Sequence, residues 1–246
     1  MLLPAREVTN DELTAILDTS DEWIKSHTGI GSRHVLSGGE TISTLGAQAA
    51  RMALRKAGVT AADLDFIICS TTAGEMLFPA TACLIQQKLG AKCPAMDVNA
   101  GCTGFLYAMN LADAMLTCGK AKRVLLVAAE QITRLADWKD RSTCVLFGDG
   151  AGAAVCEAGE GFKAVRLTAR GTAEPLYGMA DGGNCPFDDQ IPQAKPLQMN
   201  GQEIFKFAVT QSCKDIRHLL DRTGTPADTV DYYVLHQEIG RASCRE

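Results

Sequence analysis

The sequence predicts an α/β layered fold, and three observations carry that prediction. Stretches with helical apolar spacing alternate with short apolar or β-branched runs, which is the pattern of helices layered on a sheet. Two of the helical stretches stop at a glycine, the residue that most readily ends a helix. At 246 residues the chain is long enough for one large domain or two closely packed halves.

The elements follow in order. Asn10-Asp11-Glu12-Leu13 supplies a cap residue and early acids, opening a short helix. Thr41 to Ala57 carries small and apolar residues at helical spacing and ends at Gly58. Asp65 to Ser70 reads as a buried strand, Pro79 to Leu89 as a helix ended by Gly90, and Ala95 to Val98 as a short strand. Thr103 to Leu116 is a long apolar helix, and Arg123 to Ala129 a strand buried on both faces. Gly171 to Pro196, rich in Gly, Pro, Asp and Gln, reads as a long surface excursion of the kind that usually serves function. Gly201 to Leu220 is an amphipathic helix and Tyr232 to Leu235 a last short strand.

Composition excludes several classes. A net charge of −5 and a pI near 5.4, with no basic stripe, argue against nucleic acid as a partner. No apolar run approaches bilayer length and no signal peptide opens the chain, so a soluble cytoplasmic protein is expected. The ten cysteines are scattered, without a CxxC pair and mostly inside apolar runs such as Phe66-Ile67-Ile68-Cys69. That suits small hydrophobes in a reducing compartment, and no Cys/His cluster has zinc-ligand spacing, so no metal is expected.

Cys102 stands apart from the other cysteines. It lies in Asp97-Val98-Asn99-Ala100-Gly101-Cys102-Thr103-Gly104-Phe105, between a strand and an apolar helix, and the glycines permit a sharp turn. A thiol at a helix N-terminus meets backbone dipoles that favour the thiolate, and neighbouring N–H groups that can stabilise an oxyanion. The alternative, a buried structural cysteine, suits most of the other nine. His236, after Tyr232-Tyr233-Val234-Leu235, stands at the exit of the last expected strand. Alone it reads as a structural histidine; beside a thiolate it becomes a candidate partner that handles protons. His27, His34 and His218 read as structural. Phe147-Gly148-Asp149-Gly150-Ala151-Gly152 lacks the spacing of a dinucleotide-binding loop and reads as close backbone packing beside an active site.

With these residues in view, the chain resembles the β-ketoacyl-acyl carrier protein synthase III family. The resemblance runs from Pro4 to about Gln237 through Val8-Thr9-Asn10-Asp11-Glu12-Leu13, Thr19-Ser20-Asp21-Glu22-Trp23-Ile24 and Thr28-Gly29-Ile30. It continues through the Cys102 turn, Asp140-Arg141-Ser142-Thr143, the Phe147 to Gly152 run and Leu235-His236-Gln237. The resemblance implies a thiolase-like fold, layered αβαβα with two similar halves, in a homodimer. It implies residues 1–160 as the half carrying the nucleophile, 161–237 as a partial second half, and 238–246 as a non-native tail. That tail reads as a translated adapter on a truncated frame, and the chain ending there is expected to be inactive or poorly soluble by itself.

The resemblance also implies site roles. Cys102 matches the acylated nucleophile, and His236 one of two residues supporting malonyl decarboxylation. Trp23 and Arg141 match the pair that sandwiches the coenzyme A adenine, and Thr28 a contact to the same molecule. Phe78 matches the residue that limits the acyl pocket from across the dimer. Met199, Gly201 and Phe205 match the wall of the pantetheine tunnel, and Lys206 falls where the family docks the acidic carrier protein; a solvated helix lysine is its other reading. The implied reaction joins an acyl-CoA and malonyl-acyl carrier protein, with coenzyme A as part of the substrate and no permanent cofactor. His27 stands where many members carry Arg, and Gln202 replaces a usual Asn. Three other readings compete. One is a polyketide starter or hydroxymethylglutaryl-CoA synthase-like enzyme, another a non-catalytic acyl-CoA-binding relative, and the third a cysteine hydrolase.

Overall fold

A four-stranded sheet organises the molecule, and the computed structural model describes residues 1–179, Phe187 and residues 193–236. Ahead of the sheet, β1 (Arg6–Thr9) pairs antiparallel with β2 (Ser32–Val35), and α1 (Asn10–Thr14) and α2 (Asp21–Thr28) connect them. Then follow α3 (Ile42–Ala57), β3 (Phe66–Ser70), α4 (Thr81–Leu89), β4 (Ala95–Val98), α5 (Gly104–Thr117), β5 (Arg123–Gln131) and β6 (Asp149–Glu157). In the sheet the order is β4-β3-β5-β6; β3 runs parallel to both β4 and β5, and β6 runs antiparallel to β5. An antiparallel ribbon of β7 (Leu176–Met179) and β8 (Lys195–Met199) leads into α6 (Gly201–Thr223).

Strand side chains alternate between the two faces, and here both faces are covered. Ile67, Cys69, Leu125 and Val127 turn towards α3 and α4; Ile68, Val124 and Leu126 turn towards α5. All seven are fully buried. At roughly 1.5–3 kcal/mol for each large aliphatic chain removed from water, these residues dominate the stability of this layer. A third, smaller cluster of Leu13, Leu17, Ile24, Ala136, Cys144 and Val145 joins α1 and α2 to the segment after β5. None of the helices among the described residues is long and apolar enough to cross a membrane.

Element boundaries show which local rules prevailed. Thr9 caps α1, receiving the Glu12 N–H while the Glu12 carboxylate receives the Thr9 N–H at 3.1 Å. The expected cap, Asn10, is instead the first helical residue and is buried. Helix α3 is capped by Thr41, where the helical stretch was expected to begin, and ends as expected at Gly58, φ 68°. Helix α4 starts at Thr81 rather than Pro79, because Asp97 of β4 receives the Thr81 and Ala82 N–H groups at 2.7 Å each. Strand β5 runs on to Gln131, two residues past the expected end.

Three expectations need correction. The glycine-rich run does pack closely at Gly148, where an added Cβ would meet Arg33 Cβ and the His34 carbonyl at 3.2 Å. From Asp149 onward, however, it is strand β6, paired with β5 along its whole length; its pattern of small residues conceals a strand whose partner is distant in sequence. The excursion of 171–196 contains β7 and the start of β8, held to each other rather than looped free; residues 180–186 and 188–192 of it lie outside the described residues. Tyr232 to Leu235 is not a strand: Tyr232 is 86% and Val234 94% exposed, and no ladder among the described residues receives the segment. Residues 237–246, including Gln237, lie outside the described residues.

Candidate active site

Cys102 occupies the bend where β4 gives way to α5. After Val98 the chain makes a 3-10 turn over Gly101–Thr103 and then enters α5 at Gly104. Gly101 adopts φ 55°, a left-handed value that a side chain would strain. Gly104 lies so close to β3 that a Cβ there would collide with the Ser70 hydroxyl. The two glycines thus let the helix N-terminus seat against the sheet with Cys102 exposed above it. The buried Cys69, Cys93 and Cys144 and the half-buried Cys156 contrast with it: all four are pushed up by burial, Cys144 to about 11. Those four are small core hydrophobes. Among the described residues no cluster of His, Cys, Asp and Glu can hold a metal ion.

Trp23 and Arg141 meet although 117 residues separate them, with the guanidinium carbon 5.1 Å from the indole centroid. Arg141 also donates to the Asp18 carbonyl. Its turn is braced by Asp140, whose carboxylate accepts the Ser142 N–H at 2.9 Å, the Ser142 hydroxyl at 2.6 Å and the Thr143 hydroxyl at 2.8 Å. Burial disfavours the ionised Asp140, but those donors outweigh it and keep the carboxyl below its ordinary range. His27 stacks on Trp23 at 4.4 Å, its Nδ1 2.8 Å from the Trp23 carbonyl. Thr28 donates its hydroxyl to Ile24 and accepts from the Ile30 N–H, closing the end of α2.

Phe78 sits on an apolar tip, 83% exposed beside Leu77 at 90%. The loop beneath it is fixed from three sides. Glu130 accepts the Thr72 N–H at 2.6 Å, Arg134 donates to the Gly74 carbonyl, and Glu75 accepts the Ser43 N–H at the start of α3 at 3.0 Å. Glu130 is a residue that the sequence reading passed over. Burial raises its carboxyl, against the hydrogen bonds from Thr72, and its Oε2 is buried without a hydrogen-bond partner among the described residues. A charged residue closing an apolar strand was the available signal.

Met199, Gly201, Phe205 and Lys206 fall together at the junction of β8 and α6. The Leu197 N–H bonds the Leu135 carbonyl at 2.8 Å, and Asn200 caps α6 through Glu203. This ties the junction to the segment that carries Trp138 and Arg141. Phe205 and Lys206 are exposed. A pocket of about 200 Å³ opens beside them, lined by Arg170, Pro175, Leu176, Ile204 and Phe207 among others. A larger one of about 370 Å³ lies further along α6, between Phe162 and Leu219. Cys102 lines neither. His236 is exposed at the end of the irregular segment described above, so the strand expected to present it is not there.

Comparison with known proteins fits this geometry. The family model of 3-oxoacyl-[acyl-carrier-protein] synthase III matches residues 96–171, which span β4, the Cys102 turn and β6. The chain is 47% identical over 245 residues to the β-ketoacyl-[acyl-carrier-protein] synthase III of Rhizobium johnstonii, covering 96% of this chain and 74% of the relative. The crystal structure of the corresponding synthase from Aquifex aeolicus superposes with a TM-score of 0.83 at 41% identity, covering 93% of this chain and 71% of that one. The Thermus thermophilus synthase superposes with a TM-score of 0.88 at 38% identity, covering 99% and 78%. With its thiolase-like α/β fold, this chain belongs to the β-ketoacyl-[acyl-carrier-protein] synthase III family of condensing acyltransferases.

Proposed function

We propose that Cys102 is the nucleophile of the initiating condensation of type II fatty-acid synthesis. The carrying observation is an exposed cysteine on a glycine-bent strand-to-helix turn, at the N-terminus of α5. The Cys102 thiolate attacks the carbonyl of an acyl-CoA; the carbon–sulfur bond to coenzyme A breaks, and the leaving thiolate takes up a proton. Backbone N–H groups of the turn face the charge that develops on the carbonyl oxygen. Malonyl-acyl carrier protein then loses carbon dioxide, leaving an enolate whose carbon bonds to the acyl carbonyl carbon. Cleavage of the bond to the Cys102 sulfur completes 3-oxoacyl-acyl carrier protein. His236 hydrogen-bonds the malonyl thioester oxygen while it is negative.

In the same reading Trp23 and Arg141 hold the adenine of coenzyme A, Thr28 touches that molecule, and Met199, Gly201 and Phe205 line the path of its pantetheine arm. The 5.1 Å approach of Arg141 to Trp23 leaves no room for a ring between them, so the pair opens to admit the adenine. Lys206 offers the carrier protein an exposed cation. Phe78 enters the acyl pocket of a second copy in a cytoplasmic homodimer. Support for the dimer comes from the rigidly braced apolar tip at Leu77 and Phe78, and from β4 standing at a sheet edge. The chain divides near residue 160, with the nucleophile in the first part.

Intact-protein mass spectrometry after incubation with acetyl-CoA tests the central assignment. The expected result is a single acetyl adduct that disappears in Cys102→Ala. A folded chain that takes no adduct, or a Cys102→Ala variant that keeps it, overturns the role of Cys102.

A further inference from the structure

We propose that Arg33 and Asn10 are positioning residues that set the gap between Trp23 and Arg141, and so govern capture of the nucleotide end of the acyl donor. The proposal rests on the reading of Trp23 and Arg141 as an adenine clamp and extends it to two residues that touch neither ring.

A single buried amide spans the helix that carries Trp23. Asn10 Nδ2 donates to the Asp21 carboxylate, at the first residue of α2, at 2.9 Å; it also donates to the Ile30 carbonyl, just beyond the helix end, at 2.8 Å. Its Oδ1 accepts from Arg33 Nη1 at 2.8 Å. The other arm of Arg33, Nη2, donates to the Val145 carbonyl at 3.1 Å, in the turn that follows Arg141, Ser142 and Thr143. Both ends of α2 are thereby connected to the Arg141 segment through one guanidinium.

That guanidinium is an expensive choice for a spacer. Arg33 is 5% exposed, and among the described residues its Nε has no hydrogen-bond partner and no carboxylate forms an ion pair with it. Neutral oxygens alone hold the charge. A planar fork with fixed donor directions does what an apolar side chain cannot: it sets direction as well as distance between two elements. A shift on the order of 1 Å at such a site is enough to slow reaction by about a hundredfold.

The test compares two acyl donors on the whole chain. Acetyl-CoA carries the adenine; acetyl-N-acetylcysteamine has the same thioester and no nucleotide. Cys102 acylation is followed by intact mass for Arg33→Lys, which keeps the charge and loses the fork, and for Asn10→Ser. Arg33→Lys is expected to lower the second-order rate with acetyl-CoA by about ten- to a hundredfold, and to leave the truncated donor within about twofold. Parallel losses with both donors mean that the pair only supports the fold, and unchanged rates mean that it positions nothing; either overturns the proposal. Asn10→Ser carries the test alone if circular dichroism shows Arg33→Lys unfolded. Trp23→Ala separates the two levels. If it slows both donors alike or neither, the clamp reading fails. If it selectively slows acetyl-CoA while Arg33→Lys and Asn10→Ser do not, only the proposal made here fails.

Discussion

Residues 61–157 and residues 161–236 are built from equally good local patterns, yet they end in different environments. In the first region eight residues of β3 and β5 lie fully buried between helices on both faces. In the second, α6 spans 23 residues with a correct Asn200 cap and a left-handed Gly224 at its end, and none of its side chains is buried. Ile216, Leu219 and Leu220 instead line an open pocket of about 370 Å³. Local rules decide that a helix forms and where it stops, but helices in water gain most of their stability from what they pack against. The catalytic assignments divide along the same line: Cys102 sits on the packed region, His236 in the exposed one.

Hydrogen exchange gives the sharpest test of that contrast. Amides of β3 and β5 are expected to exchange at least about a thousandfold more slowly than those in the middle of α6, because core strands open only with the whole domain. Equal protection in both would erase the distinction. Truncation gives a smaller, quantitative version. Leu126→Ala, in β5 and packed in the cluster with α5, is expected to cost about 2–5 kcal/mol in urea denaturation. Leu219→Ala, beside a pocket, should cost within about 1 kcal/mol, since few contacts remain to be lost. A Leu219→Ala loss as large as that of Leu126→Ala would mean that α6 is packed in solution.

The same division explains what was legible in the sequence. Helix ends at Gly58 and Gly90, the strand Ala95–Val98 and the turn around Cys102 are written in adjacent residues, and each was found within a residue or two. Adjacent rivals blur such signals: Thr9 and Asn10 both suit a cap, and only the fold shows that Asn10 is needed by Arg33. Strand β6 was missed because its glycines and alanines gain strand character from a nine-residue ladder with β5, a partner the local pattern does not name. The last expected strand failed for the opposite reason, since an apolar run of the right length met no ladder among the described residues. The Asn10–Arg33–Val145 connection spans 112 residues at its longest step, beyond any spacing rule. The Trp23 and Arg141 pair became visible through resemblance alone, and the structure brings it together.

Glu130 offers the smallest effect and joins the packed sheet to the Phe78 loop. Burial raises its carboxyl above the ordinary value of 4.5, with the Thr72 hydrogen bonds pulling the other way. The folded chain therefore holds this proton to higher pH than the unfolded chain does. Its favourable contribution is complete below about 4.5 and is lost as pH rises through the folded value. Glu130→Gln keeps an oxygen to accept the Thr72 N–H at the loop's first turn and has no proton to lose. Denaturation midpoints measured from pH 4 to pH 7 should then show the variant gaining on the parent as pH rises. A difference that stays constant over that range would mean that Glu130 titrates no differently in the folded chain. The loop under Phe78 would then rest on the Arg134 and Glu75 anchors, with no titrating brace on its sheet side.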